Sequence, residues 1–159
     1  MKTFPTILAI ILFPVSLFAN ADQDEIIVNH ASVQSQEIKT GSSQYFSGQV
    51  KVDSLFQRNS PSRLTGGTVY FAAGARTAWH THPLGQTLIV LSGTGWVQQW
   101  GHPAQPIKPG DMIWIPPHVK HWHGASATSP MSHIAISEAL NGKTVTWLEQ
   151  VSDSQYPKN

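Results

Sequence analysis

Residues 74–93 read Gly74-Ala75-Arg76-Thr77-Ala78-Trp79-His80-Thr81-His82-Pro83-Leu84-Gly85-Gln86-Thr87-Leu88-Ile89-Val90-Leu91-Ser92-Gly93. Two runs of strand-forming character, Thr77 to His82 and Gln86 to Leu91, flank the turn sequence Pro83-Leu84-Gly85, and neither holds a helical period. His80 and His82 stand at i and i+2, so the pleat of a strand sends both imidazoles to one face, about 7 Å apart along the chain. Two ligands for one ion can therefore come from one strand. The turn can swing the chain round so that the Gln86 amide oxygen meets the same point as a third ligand.

Outward from this stretch the same texture continues. Short β-branched and aromatic runs alternate with Gly, Pro and Ser turns, and no segment keeps helical periodicity for three turns. Strands are expected at Phe46 to Val52, Leu64 to Phe71, Trp96 to Trp100, Met112 to Ile115, Lys120 to Ala125, Met131 to Ser137 and Thr144 to Glu149. The fold class is all-β, a sandwich or small antiparallel barrel closed enough to hide its edges. His121 and His123 repeat the i, i+2 spacing after the turn Ile115-Pro116-Pro117, and one of them can complete the ligand set. Imidazole nitrogens with one neutral oxygen suit divalent Mn, Fe, Co, Ni or Zn, whereas calcium and magnesium want mostly oxygen and copper(I) wants sulfur. Positions left open for water or substrate give the site a catalytic form. His30 and His102 are read as ordinary hydrogen-bonded or surface histidines.

Composition narrows the remaining choices. The chain has 159 residues, 40% hydrophobic and 12% charged, which is material for one core of ordinary domain size. Ten Lys+Arg against nine Asp+Glu give a net charge of +1, so no field draws the chain to nucleic acid or anionic lipid. Six Trp, six Phe and three Tyr are too many aromatics for a disordered chain. Eight His beside no Cys exclude disulfides, thiolate zinc sites and cysteine nucleophiles, and leave imidazole as the main reactive side chain. At the N-terminus, Lys2, the apolar stretch Ile7 to Phe18 and Ala19-Asn20-Ala21 match a secretory signal peptide too short to span a bilayer core of ~30 Å. Cleavage after Ala21 is expected, with residues 22–44 as an arm or edge strand and residues 45–156 as the globular domain. Export places the protein in a bacterial periplasm or outside the cell, with no membrane partner once the leader is gone.

The spacing Gly74-x5-His80-x-His82-x3-Gln86-x6-Gly93 resembles the first motif of the cupin superfamily, and Gly110-x5-Pro116-x-His118-x2-His121-x3-Ala125 resembles the second. Three departures stand out: Gln86 replaces the usual first-motif glutamate, His118 the second-motif glycine, and Ala125 the closing asparagine. The resemblance implies a double-stranded β-helix, a small jelly-roll barrel, with one divalent metal held inside by His80, His82, Gln86 and His121. A ligand set without a carboxylate keeps the ion's full charge, which makes bound oxygens more acidic.

A narrower likeness covers most of residues 45–156. Gly48-Gln49-Val50-Lys51-Val52-Asp53, the stretch Gly74 to Gln86, Trp114-Ile115-Pro116-Pro117 and Lys120-His121-Trp122-His123-Gly124-Ala125 are similar to bacterial manganese-dependent cupins that include (R)-selective hydroxynitrile lyases. By that likeness the activity is cleavage or formation of a cyanohydrin carbon–carbon bond. Mn(2+) is the favoured metal and Fe(2+) the next, and the substrate is a small molecule. His133 is the favoured base and His123 the second choice, both expected to reach substrate. Assembly as a homodimer or homotetramer is expected. Two other readings share the open site: an Fe(II) dioxygenase of the quercetinase kind, and a non-catalytic cupin that captures a small ligand. Lys120 and Arg76 are assigned structural roles. Trp79, Trp114 and Trp122 are assigned to packing between sheets or subunits, and Trp96, Gln98 and Trp100 to one shared face.

Overall fold

The computed structural model describes residues 39–58 and 60–157; the expected signal peptide and most of the expected arm lie outside them. Every regular element among the described residues is a strand, so no helix there is long and apolar enough to cross a membrane. In chain order the strands are β1 (Lys39–Thr40), β2 (Phe46–Ser47), β3 (Val50–Phe56), β4 (Leu64–Phe71), β5 (Arg76–Thr77), β6 (His80–Thr81) and β7 (Gln86–Gly93). They continue with β8 (Gly95–Gln99), β9 (Gln105–Ile107), β10 (Met112–Ile115), β11 (His121–Ala125), β12 (Met131–Glu138) and β13 (Thr146–Trp147). One sheet runs β1-β3-β4-β12-β7-β10. The other runs β13-β6-β11-β5-β2, with β8 on the far side of β11 and β9 beyond it. All pairings are antiparallel.

The strands at Leu64–Phe71 and Met112–Ile115 fall where the sequence pattern puts them. Elsewhere the ladder is more broken than the pattern suggests. The run expected from Phe46 to Val52 is interrupted at Gly48, whose φ of 78° turns the chain from one sheet to the other. A Cβ there would lie 2.9 Å from Ala75, so the corner requires glycine both for its dihedral and for its close approach. The run Thr77 to His82 splits into β5 and β6. At the break, Ala78 N–H donates to the Tyr45 carbonyl and Trp79 N–H to the Glu149 carbonyl, so these groups leave the β11 ladder for outer segments. Only Thr146–Trp147 of the last expected strand pairs with β6. The short β9 escapes sequence reading because Pro106 sits inside it, and it pairs with β8 alone, on an edge where a missing N–H is tolerated.

Two apolar clusters flank the site. Inside the barrel, Val50, Val69, Phe71, Val90, Ile107 and Met131 pack below it. On the outer face of the second sheet, Trp79 and Trp122 pack with Val151 and Tyr156 of the C-terminal segment. That segment is anchored by the Arg76 guanidinium, which donates to the Val151 carbonyl and the Asp153 carboxylate, and by Tyr156 Oη–H donating to the Ala125 carbonyl at 2.7 Å. Trp79 and Trp122 thus fill the space between a sheet and the chain's own C-terminal segment, and not the space between sheets. Gln98 accepts from Trp122 Nε1 at 2.7 Å, and Trp100 meets Trp79 edge-on, which places the Trp96, Gln98 and Trp100 face on this outer side.

Candidate metal centre

Alternation along β11 decides which side chains face inward. His121 and His123 point into the barrel while Trp122 points to the outer cluster, and the register sets His121 directly opposite His80. The His80 and His121 rings lie 4.2 Å apart between centroids, with His82 at 5.2 Å from His80 and 5.6 Å from His121. Gln86 opens β7 after a tight turn in which Gly85 has φ 83° and a Cβ would meet Trp114 at 2.5 Å. His118, in the place of the motif glycine, adopts φ 62° in an exposed turn, and its N–H donates to the His82 carbonyl at 2.9 Å. The second motif's turn therefore holds the first motif's ligand strand, and His118 itself stays outside the ligand group.

His80, His82 and His121 are buried, and their ligand atoms all lie within 4.8 Å of one another. In each ring Nδ1 faces a backbone carbonyl: Ala78 for His80 at 2.9 Å, Thr144 for His82 at 2.6 Å and Val119 for His121 at 2.9 Å. A carbonyl only accepts, so each Nδ1 carries the hydrogen and each Nε2 presents a lone pair. His82 Nε2 is buried without a hydrogen-bond partner. His121 Nε2 stands 3.3 Å from Gln86 Oε1, two lone-pair donors that a shared cation would bring together. Burial holds His80 well below the ordinary imidazole range, helped by His121 and His82 beside it, and it lowers His82 and brings His121 to about 4. Neutral imidazoles with converging lone pairs and fixed tautomers fit a metal ion, and this three-histidine group can hold one.

Next to this group His133 Nε2 lies 3.0 Å from His123 Nδ1, with Phe71 packed edge-on to His123 and tilted against His133. Both rings are buried, which presses His123 well below the usual range and His133 to about 4. A cavity of about 400 Å³ opens beside them, a volume suited to a small organic molecule. His80, His82, Gln86 and His123 line it, and its apolar wall includes Phe46, Phe56, Val69 and Trp147. Sequence reasoning places both His123 and His133 against substrate. In the structure His123 faces the cavity and His133 stands behind it, with the bulge between Ser132 and His133 in the β12–β7 ladder beside it. His121 borders a second hollow of about 440 Å³ between β9 and β10. Sequence reading missed the Thr144 carbonyl and the Thr77 hydroxyl, which accepts from the His123 N–H at 3.2 Å, because neither carries a motif.

Residues 67–137 match the cupin domain family model. An (R)-mandelonitrile lyase from Granulicella tundricola is 52% identical over 124 residues, which is 78% of this chain and 95% of that protein. A cupin-like protein of known structure from Thermotoga maritima is 42% identical with a TM-score of 0.71, covering 76% of this chain and 92% of that one. A cupin-2 domain protein from Rhodospirillum rubrum shares the fold at 16% identity, with a TM-score of 0.61 over 82% of this chain and 85% of that one. From its paired motifs, its curled antiparallel sheets and these relatives, the chain belongs to the cupin superfamily.

Proposed function

We propose that this protein is an exported metal-dependent lyase that cleaves or forms the carbon–carbon bond of a small cyanohydrin. The observation that carries this reading is the set of lone pairs from His80, His82, His121 and Gln86 beside a cavity lined by His123, in a chain 52% identical to an (R)-mandelonitrile lyase. Three neutral nitrogens and one amide oxygen suit a divalent first-row transition ion, and the likeness to manganese-dependent cupins favours Mn(2+) first and Fe(2+) next. A divalent ion bound there supplies Lewis-acid polarisation of a substrate oxygen. His123, neutral and on a ring that lines the cavity, takes the substrate's hydroxyl proton at Nε2, which is buried without a protein partner, and returns it to the departing cyanide as the carbon–carbon bond breaks. His133 fixes the orientation of that ring through Nδ1 and acts as the base's support. The apolar wall seats the organic part of the substrate and keeps water from the reacting carbon.

The signal-peptide pattern expected at residues 1–21 supports work in the periplasm or outside the cell. Exposed Leu91, Met112 and Trp114 on neighbouring strands β7 and β10 support self-association as a homodimer or homotetramer. Release of benzaldehyde and cyanide from mandelonitrile by the purified protein, followed spectrophotometrically, tests the reading. Absence of release under any divalent transition metal contradicts it.

A further inference from the structure

The cavity has an uneven charge distribution that the lyase reading does not use. No carboxylate lines it, and among the described lining residues Arg58 alone carries an ionised side chain. Arg58 leaves the end of β3 and donates from Nη1 to the Gly142 carbonyl at 3.0 Å, so the guanidinium spans the mouth from one loop to the facing turn. A guanidinium carries five N–H donors and that bond uses one. Lys143 borders a separate hollow with Gln44 and Tyr45, and Glu138, next to the lining residue Ser137 on β12, is engaged by Arg63 at 2.5 Å, so Arg58 supplies the charge at this mouth. The mouth is thus cationic, the wall apolar and the floor built of neutral imidazoles and an amide.

We propose that Arg58 is a specificity-determining residue that selects ligands bearing a carboxylate on an apolar body, with the carboxylate at the mouth and the reacting oxygen at the imidazole floor. This deepens the lyase reading of the same site and rests on it for the orientation of the substrate. The physical reason is complementarity: a planar fork of N–H donors matches a carboxylate, and a neutral cyanohydrin leaves that fork without an anionic partner. The substrate class is a small cyanohydrin whose organic part bears a carboxylate.

The test is calorimetric titration of the full mature chain, in manganese-loaded and in chelator-treated form, with 3-phenylpropanoate and with 3-phenylpropanamide. The wild type binds the carboxylate more tightly than the amide. R58Q loses about tenfold or more of the carboxylate affinity, the scale of one charge-assisted hydrogen bond, while amide affinity moves less than about twofold. R58K keeps part of the preference as a point charge. Arg58 is exposed, so these variants fold, which thermal melts verify. Equal losses for both probes, an unchanged carboxylate affinity in R58Q, no binding of either probe, or carboxylate binding that requires metal and ignores Arg58 each overturn the proposal. Arg58-dependent binding in the chelator-treated protein upholds it even where mandelonitrile is not turned over, so the two readings fail separately.

Discussion

His133 Nε2 lies 3.0 Å from His123 Nδ1, and the proposed roles, His123 as base and His133 as its support, reverse the order that the family resemblance implies, in which His133 comes first. The nitrogen of His123 left over is Nε2, on the ring that lines the cavity. His123→Ala should lower turnover by ~10²-fold or more with metal content intact, and should flatten the acid limb of the rate–pH profile, which reports the imidazole that must be neutral to accept a proton. His133→Ala should cost less, and His133→Gln should recover part of it by restoring a hydrogen-bond partner for Nδ1. A flattened limb in His133→Ala together with wild-type behaviour in His123→Ala reverses the two roles.

Removing a ligand should remove the metal. His80→Ala, His82→Ala and His121→Ala each delete one of few donors and leave a buried hole, so elemental analysis of each purified variant should show metal content far below wild type. Full occupancy in all three contradicts the assignment.

Gln86→Glu should separate binding from chemistry. A carboxylate holds a divalent ion at least as well as an amide, but its charge lowers the ion's Lewis acidity, so occupancy persists while turnover falls. Unchanged turnover shows that the neutral amide is not tuned to the reaction.

The buried histidines also predict acid sensitivity. His121 and His133 titrate near 4 in the fold, against 6.5 in an open chain, because burial disfavours their charged forms. Above about 6.5 both states are neutral and stability is full; as pH falls toward 4 the unfolded chain gains protons that the folded one refuses. Each such histidine then removes stability on the order of 1.4 kcal/mol per pH unit. Thermal melts of the chelator-treated protein should shift down steadily between pH 7 and 5, and a flat midpoint over that range contradicts this account.

Much of the site is legible in the sequence because its information is local. The i, i+2 spacing of His80 with His82 and of His121 with His123 fixes which faces they share, and Pro83-Leu84-Gly85 delivers Gln86 through a turn with a required glycine. What is not local is not legible. The order of His123 and His133 depends on how β11 and β12 approach across the barrel, which no short motif encodes. The division of Thr77 to His82 into two strands depends on Tyr45 and Glu149, far away in sequence, drawing off two backbone N–H groups. Trp79 and Trp122 read as packing between sheets or subunits, but their partner is the C-terminal segment at Val151 and Tyr156, whose polar surroundings give little strand signal.

Cyanohydrin cleavage is proposed to need a metal held by His80, His82, His121 and Gln86. The most direct measurement is titration of Mn(2+) back into chelator-treated protein while mandelonitrile cleavage and bound metal are followed together. Activity that rises in proportion to bound metal and levels off at one ion per chain is the predicted result. Cleavage by the metal-free protein at the same rate, or full metal occupancy with no cleavage, contradicts it.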